Sequence, residues 1–331
     1  MTDGGQAAPG WYPDPYQPSR LRYWDGEVWT EHYHQGDGKL PSIGDWLGST
    51  FNAIGAYGIP ALILAVGASF VLSLVTFGGL YWAVGDAQII REEFIGDVGP
   101  IIIRGAIVMI VLVLAQGFVW LAINRFMQRA HLQAEPSIGE ALSRAVARLP
   151  RLIGVSLLLM LGAVVIFVIF ALLLVFAGEA GAGLVVVLVL LMVPLAIFVS
   201  VKLSFISAAV VAAPTSENAI RASAQVSKGR FWPVLGRVLL LSLGVGVVSA
   251  MVSGALGGLG QPVDQNAIND IFIGTGNNVT VRDFDFRELL PSAGSFMIYL
   301  VVSSVLNGLT GLVTTSGFMR LYLDSGAPSE L

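Results

Sequence analysis

The side chains that could carry chemistry in this chain are few. The sequence contains no cysteine and three histidines, His32, His34 and His131, which excludes disulfides, thiolate metal sites and cysteine nucleophiles. Lys202 lies well inside a long apolar stretch, where an ionisable residue is a candidate for function. The middles of the apolar stretches hold no aspartate or glutamate, so a carboxylate relay for protons or cations lacks its expected parts. We therefore predict no catalytic residue, no metal site and no cofactor.

The elements that must position these residues follow from composition. Of the 331 residues, 55% are hydrophobic and 12% are charged, and the mean hydropathy is +0.77. Soluble domains carry about 25% charged residues, so this chain has too little polar surface for water and needs a bilayer around it. The net charge of -4 gives no reason to expect nucleic acid as a partner.

Six apolar segments are long enough to cross a bilayer, which takes about 20 helical residues. They are residues 57–84, 101–123, 152–177, 184–211, 234–256 and 293–318. Pro194 lies inside the fourth segment and predicts a kink there. The predicted fold class is an all-α polytopic membrane protein with about six transmembrane helices.

Basic residues are concentrated in alternate loops. Five arginines follow the second segment between residues 124 and 151, whereas the loops at 85–97 and 261–292 are mostly acidic. Loops rich in lysine and arginine remain in the cytoplasm. Both termini are therefore predicted to be cytoplasmic, and residues 261–292 form an extracytoplasmic loop.

An internal repeat introduces each pair of segments. A Pro-Ser or Pro-Thr dipeptide begins at Pro41, Pro136 and Pro214, and a leucine or isoleucine follows at Leu47, Leu142 and Ile220. Ser137 and Glu140 fit a capping box, in which the carboxylate reaches back to the cap residue. Shared capping chemistry at all helix starts is the alternative, but the matching spacings favour three repeated hairpins within residues 42–326, each introduced by an interfacial helix.

The introducing segments at residues 137–151 and 215–232 have amphipathic patterns. In the first, an apolar stripe is separated from most of the charged residues, including Arg148. Such a helix either lies in the headgroup plane with its arginines toward anionic lipid or packs on the helical bundle as a loop helix; both remain open.

Four cations are candidate membrane-interface or cavity residues. They are Arg125, Lys202, Arg221 and Arg230. Arg125 and Lys202 precede a repeat proline by eleven and twelve residues, which places them at one equivalent position. We expect both to extend toward the cytoplasmic interface.

One stretch in this region resembles a known family. Lys202-Leu-Ser-Phe205, Ala213-Pro214, Ala219-Ile220-Arg221 and Ser227-Lys-Gly-Arg-Phe-Trp232 are similar to the membrane domain associated with some bacterial glycerophosphodiester phosphodiesterases. The resemblance is clearest over residues 200–240. In that family catalysis resides in a separate soluble barrel domain, so the resemblance implies a membrane fold and no hydrolase activity here.

The N-terminal residues have a different character. Residues 1–8 are predicted to be disordered, residues 9–34 to form a small aromatic β-hairpin domain, and residues 35–41 a linker. Asp25-Gly26 predicts a two-residue hairpin turn. The resulting register pairs Tyr23 with Val28, Arg22 with Trp29 and Arg20 with Glu31, and the Trp11-Tyr-Pro segment is expected to fold back across one face.

The N-terminal pattern Gly-Trp-Tyr-Pro-Asp-Pro, Arg-Tyr-Trp-Asp-Gly and Trp-Thr closely resembles a short bacterial domain of unknown function that often precedes membrane proteins. That family has no established activity. Small aromatic modules commonly bind peptides, and the candidate partner-binding residues are Trp11, Tyr12, Tyr23, Trp24 and Trp29. The alternative is that these rings are only the minimal core of a mini-domain.

Three functions are weighed. The first is a non-enzymatic scaffold or adaptor in the bacterial inner (cytoplasmic) membrane, with anionic lipid headgroups and a protein bound through residues 9–34 as partners. The alternative is a transporter, channel or lipid-handling protein with a site between the repeats. A lipid-modifying enzyme is the weakest, because no nucleophile, base and ligand set is clustered in the sequence.

Overall fold

The long helices of the chain follow the order that the sequence predicts. The computed structural model describes residues 8–13, 20–35, 40–84, 88–90, 93–95, 98–177, 181–255, 272–273, 280–281, 283–285, 293–327 and 329. The disorder predicted for residues 1–7, the linker residues 36–39 and most of the 261–292 loop lie outside these residues. The helices are α1 (Ile43–Ala56), α2 (Gly58–Val84), α3 (Val98–His131), α4 (Ile138–Ala177), α5 (Gly181–Leu203), α6 (Ile206–Ala212), α7 (Ala219–Val226), α8 (Phe231–Ala255) and α9 (Ala293–Asp324).

Among the residues that the structure describes, six helical stretches are long and apolar enough to cross a membrane. They are Gly58–Ala83, Gly99–His131, Ile138–Leu173, Leu190–Ala212, Phe231–Val252 and Phe296–Asp324. Large apolar side chains such as Ile59 and Phe167 are exposed on them, as expected of a surface that lipid covers. The prediction of an all-α polytopic membrane protein is confirmed.

The second repeat differs from the sequence prediction in its first helix. A boundary was expected before Leu152, but α4 runs without interruption and contains Pro150. At 40 residues it is about 60 Å long, twice the hydrocarbon thickness of about 30 Å. In the third repeat Gly229 has a positive φ of 72° and lets the chain turn between α7 and α8; the second repeat has no glycine at this point.

The third repeat begins later than predicted. Its short helix α7 covers eight residues, fewer than the predicted segment 215–232. Asn218 is the N-cap, and its side chain accepts hydrogen bonds from the backbone N–H groups of Ile220 and Arg221. The cap therefore comes from an asparagine after the Pro-Thr dipeptide, because its short side chain reaches the first free N–H groups.

The interruption of the fourth span lies away from its proline. Helix α5 continues through Pro194, and the helix is broken at Ser204 and Phe205, before α6. Upstream, the hydroxyls of Ser200 and Ser204 donate to the carbonyls of Ala196 and Ser200, at 2.6 and 2.7 Å. Such bonds compete with helical hydrogen bonding and bend helices, which is consistent with a break at this place.

Buried positions repeat across the three introducing segments. The fifth, ninth and twelfth residues after each repeat proline are buried in every copy. They are Trp46, Thr50 and Ala53; Ala141, Ala145 and Arg148; and Ala219, Ser223 and Val226. Met127 and Phe205, nine positions before Pro136 and Pro214, are fully buried as well, and so is Met319, nine positions before Pro328 in a further Pro-Ser dipeptide.

This pattern supports the three-fold repeat and corrects its details. Leu47, Leu142 and Ile220 are only half-buried, so the inward positions come one residue earlier. Arg148 lies on the buried face of α4, where the sequence pattern placed it among the outward charges. Because one face of each segment is covered by protein, packing as loop helices is favoured over free helices in the headgroup plane.

The N-terminal module is a three-stranded sheet in the order β1-β2-β3. Its strands are β1 (Gly10–Pro13), β2 (Arg20–Trp24) and β3 (Trp29–Gln35), so the first aromatic segment pairs as a strand. The predicted hairpin register is wrong: Trp24 pairs with Trp29, and Arg20 pairs with Gln35. The loop therefore has four residues, and β3 has an irregularity opposite Tyr23 that a two-residue turn would not produce.

Short strands occur in the loops where the sequence predicted none. They are β4 (Gln88–Ile90), β5 (Glu93–Ile95), β6 (Phe272–Ile273), β7 (Thr280–Val281) and β8 (Phe284–Asp285). Strand β4 pairs with both β5 and β8, so the two acidic loops share a sheet. Strands β6 and β7 form a separate antiparallel pair.

The chain forms two compact units. The first comprises residues 1–58, 120–243 and 313–331, and the second comprises residues 59–119 and 244–312. The largest fully buried side chains of the first unit include Trp46, Tyr322, Phe126 and Phe205. This unit contains the introducing segments and most of the basic residues.

In the second unit, α2 and α9 approach closely. A Cβ placed on Gly308 would lie 2.7 Å from the Cα of Val66, so only glycine fits, as at other close crossings of membrane helices. Further along, the ring of Phe77 packs edge-on against Phe296 and Tyr299, with centroids 4.7 and 5.5 Å apart. The crossing is thus built from one glycine and one aromatic cluster.

Candidate functional sites

The aromatic residues of the N-terminal module gather around Trp29. Its ring lies 5.3 Å from Trp24 and 6.4 Å from Tyr12, edge-on in both cases. All three side chains are half-buried, so the cluster is both the core of the sheet and partly accessible. Trp11 pairs with Tyr23 through its backbone, but the side chain of Trp11 lies outside the described residues.

The loop that carries Trp29 is held by Asp25. Its carboxylate accepts the backbone N–H groups of Val28 and Glu27 at 2.7 and 2.8 Å, and these bonds hold the pKa of Asp25 below its usual value. Gly26 has a φ of 106°, in the region that favours glycine. The loop geometry is therefore determined by an aspartate and a glycine in sequence.

Arg22 stabilises the irregular part of β3. Its guanidinium donates to the carbonyl of Thr30 at 2.6 Å and to that of Trp29 at 3.3 Å. In return, the hydroxyl of Thr30 donates to the carbonyl of Tyr23. Side chains thus satisfy backbone groups beside the register shift, which must otherwise be hydrated. The predicted ion pair of Arg20 with Glu31 concerns side chains outside the described residues.

Arg125 is almost fully buried in an ion pair. It is 4% exposed; its guanidinium lies 2.6 Å from the carboxylate of Glu140 and donates to the side chain of Gln128 at 2.9 Å. Arg129 approaches the same carboxylate at 3.5 Å. Ser137 does cap α4 through the N–H of Glu140, but the carboxylate serves the arginines, so the predicted capping box is only half present.

Two arginines bind the carbonyls that end a span. Arg151 donates to the carbonyls of Val210 and Ala213, at 3.3 and 3.0 Å, and to that of Glu217. Arg230 donates to the carbonyl of Ser325 at 2.7 Å, and burial lowers its pKa from the usual value. In each case an arginine early in a repeat satisfies a carbonyl at the end of the same repeat, where helices leave acceptors free; Arg151 also reaches Glu217 at the start of the next repeat.

Lys202 has a different environment from Arg125. It lies in the last turn of α5, is half-buried, and its ammonium lies 4.9 Å from the centre of the Phe198 ring. When the repeats are aligned on Met127 and Phe205, Lys202 corresponds to Asn124. In this alignment the two residues lie one position apart, and their equivalence stays a prediction. Arg221 is exposed on α7.

Sequence reasoning missed a buried polar network in the first unit. The indole of Trp46 donates to the carbonyl of Gly317 at 3.0 Å, and the hydroxyl of Ser316 donates to the carbonyl of Thr50 at 3.1 Å. An imidazole nitrogen of His131 lies 3.0 Å from the carbonyl of Ser316. These bonds join α1, α3 and α9 over long sequence separations, which local patterns do not reveal.

Arg237 was also missed. It is 7% exposed and donates to the carbonyls of Pro233 and Pro41. The chain is thus held to α8 just after the linker that carries the N-terminal module. Its position in the first turns of an apolar helix is the sequence signal that could have identified it.

The second unit contains an apolar cavity and a contact between a cation and an aromatic ring. A cavity of about 520 Å³ there is lined by Leu62, Ile63, Val66, Gly67, Val305 and Leu309, so its wall is apolar. Arg104 lies 5.8 Å from the centre of the Trp82 ring, at the distance of a cation–π contact. Within the described part of the chain, no three histidine, aspartate or glutamate side chains are placed to hold a metal ion.

Comparison with known proteins identifies only the N-terminal module. Residues 9–41 match the family described as a protein of unknown function (DUF2510), which confirms the resemblance of the aromatic module. Neither a curated protein nor a solved structure matches the chain.

Proposed function

We propose that this chain is a non-enzymatic membrane adaptor whose N-terminal aromatic module binds a protein partner beside the membrane. The observation that carries the proposal is the ring cluster of Tyr12, Trp24 and Trp29, which is half-buried on a sheet separate in character from the apolar helices. Tryptophan and tyrosine are the side chains most enriched at binding hot spots.

The short connection between the N-terminal module and α1 indicates that a partner of the module binds close to the bilayer. Gln35 ends the sheet and Leu40 begins the next described segment, so the connection spans five Cα steps and reaches at most about 18 Å. Pro41, directly afterwards, is held by Arg237. A partner of the module must therefore come within a few nanometres of the membrane helices, as another membrane protein or its juxtamembrane segment does.

The contacts of the basic residues weigh against transport, the alternative function. Arg125, a predicted cavity residue, binds Glu140 and Gln128 instead of facing open space. Arg151 and Arg230 bind backbone carbonyls. A transport pathway requires polar groups directed into a water-filled cavity, and these guanidiniums are engaged within the protein. The resemblance of residues 200–240 to the phosphodiesterase membrane domain stays a prediction and adds no activity to the proposal.

The adaptor function is tested with point variants in the full chain. Trp29→Ala should weaken partner binding by at least about 30-fold, since a hot-spot residue contributes about 2 kcal/mol or more, while Val28→Ala, at an exposed neighbour, should leave it unchanged. The measurement is quantitative in-membrane crosslinking followed by co-purification. Deletion of residues 1–38 should abolish the crosslinked product and leave membrane insertion intact.

Equal crosslinking for wild type, Trp29→Ala and the deletion would contradict the adaptor proposal. A loss that occurs equally with Val28→Ala would show that the sheet had unfolded and that Trp29 is only a core residue. Circular dichroism of Val28→Ala in the aromatic region shows whether the sheet has unfolded, because this variant retains both Trp24 and Trp29, whose edge-on rings lie 5.3 Å apart.

We also propose that both termini are cytoplasmic in a bacterial inner membrane, because the basic residues lie in alternate loops. A fluorescent reporter that matures only in the cytoplasm, fused after Leu331, should be active, whereas a periplasmic phosphatase at the same site should be silent. The opposite result would reverse the topology. A fusion within the 261–292 loop provides the complementary control, with the two activities exchanged.

A further inference from the structure

A stripe along α5 combines apolar side chains with a cation at its end. Leu191, Leu195, Phe198 and Lys202 follow at helical spacing on one face. The first three are 63%, 51% and 44% exposed, and Lys202 lies in the last turn of the helix. A surface with this order, apolar along the span and cationic at its end, matches a ligand that has an anionic head and an apolar tail.

The ammonium of Lys202 has unfilled hydrogen-bonding capacity. Within the described residues, the ion pairs of this unit join Arg125 and Arg129 to Glu140, and Arg320 to Asp324; Lys202 belongs to none of them. The ring of Phe198 interacts with the cation from one side, with the ammonium 4.9 Å from the ring centre. An ammonium carries three donors, so the remaining directions are open to an acceptor outside the chain.

A row of aromatic rings continues from Lys202 to a second donor. Phe198 lies 5.3 Å from Phe231, which lies 5.4 Å from Trp232. The side chain of Trp232 is 76% exposed, and its indole N–H has no hydrogen bond among the described residues. Tryptophan at the end of a span typically lies at headgroup level with its N–H toward polar lipid groups.

The end of α5 is held in place independently of any ligand. The hydroxyl of Ser223 on α7 donates to the carbonyl of Lys202 at 2.6 Å, which fixes the backbone below the ammonium. Arg230 directly precedes Phe231 and makes the surroundings positive. The site is therefore preformed and electrostatically suited to an anion.

We propose that Lys202 and Trp232 bind the phosphate-bearing headgroup of an anionic phospholipid, whose acyl chains lie along the α5 stripe of Leu191, Leu195 and Phe198. The phosphate oxygens accept from the ammonium, the ring row supports the glycerol part, and the indole N–H at the far end of the row donates to another oxygen of the headgroup. This site is independent of the aromatic module, so it holds whether or not the adaptor function does.

The test measures binding of phosphatidylglycerol to the purified full chain in nonionic detergent by native mass spectrometry. Lys202→Gln should weaken binding about fivefold, the effect of one basic residue near a lipid surface, and Lys202→Arg should retain it. Lys228→Gln removes the same charge from an exposed neighbouring position and should leave binding within twofold. The wild type should bind phosphatidylcholine more weakly than phosphatidylglycerol. The Lys202→Gln variant should bind the two lipids equally.

Several results would overturn the proposal. One is unchanged binding in Lys202→Gln; another is an equal loss in Lys228→Gln, which would mean that net charge alone attracts the lipid. Displacement of the lipid by an equal concentration of glycerol phosphate would assign the site to a soluble phosphate compound instead. If Lys202→Gln does not fold, Trp232→Phe keeps an exposed ring without the N–H donor, and it should still weaken binding severalfold; no change would exclude the site.

Discussion

Replacing Glu140 by alanine is expected to destabilise the folded chain by about 3 kcal/mol. The substitution leaves the guanidinium of Arg125, which is 4% exposed, without its carboxylate, and a buried charge that loses its partner is strongly unfavourable. The estimate lies at the low end of the range for buried pairs because the side chain of Glu140 is 36% exposed. The measurement is the free energy or midpoint of unfolding in detergent, followed by circular dichroism.

Matched variants distinguish the ion pair from a general loss of negative charge. Glu135→Ala, at an exposed position five residues earlier, should have little effect. Adding Arg125→Met to Glu140→Ala should recover part of the stability, because the uncompensated charge is then removed. Equal stability of the Glu140 and Glu135 variants would show that Arg125 is compensated by Gln128 and water alone.

Replacing Trp46 by alanine is expected to have a similar or larger effect, about 3–5 kcal/mol. Trp46 is completely buried, so its loss leaves a cavity at the centre of the first unit. It also removes the hydrogen bond from the indole to the carbonyl of Gly317. Circular dichroism monitors unfolding, since the substitution changes the tryptophan fluorescence.

The contributions of volume and hydrogen bonding can be separated at Trp46. Trp46→Phe keeps most of the ring and removes the donor, and should therefore cost less than Trp46→Ala. Phe51→Ala, on the exposed face of the same helix, is the control and should change stability by less than about 0.5 kcal/mol. If Trp46→Ala lowered the free energy of unfolding no more than Phe51→Ala, the contact of α1 with α9 would not stabilise the fold. The burial that Trp46 shares with Ala141 and Ala219 would then contribute nothing to stability.

Comparison of the three repeats explains why substitution of Trp46 is expected to cost so much stability. The equivalent positions in the other copies, Ala141 and Ala219, are small and equally buried. The first repeat therefore buries an indole at a position where the other two repeats bury only a methyl group. Arg148 stands where the first and third copies have Ala53 and Val226. The three hairpins bury the same positions, but the types of residue at those positions differ.

The sequence predicted the membrane spans more accurately than it predicted the helix ends and the hairpin register. The six spans could be placed from sequence because a bilayer demands about 20 apolar residues in a row, which is a local and one-dimensional requirement. The helix ends were less accurate, since α4 continues through Pro150 and α7 begins only after Asn218. The hairpin register failed because the carboxylate of Asp25 and the guanidinium of Arg22 bind backbone groups and stabilise a longer loop.

The roles of the charged residues were decided by tertiary structure. The sequence alone showed that Lys202 stands in an apolar stretch and that basic residues alternate between loops. It could not show that Arg125 is paired with Glu140 while Lys202 faces a phenyl ring, because both lie near the end of a span with similar neighbours. Arg237 and Pro41 are 196 positions apart, and only the fold brings them together. Composition thus determined that this chain needs a membrane, whereas three-dimensional packing decided which of its cations are satisfied internally and which remain available to a ligand.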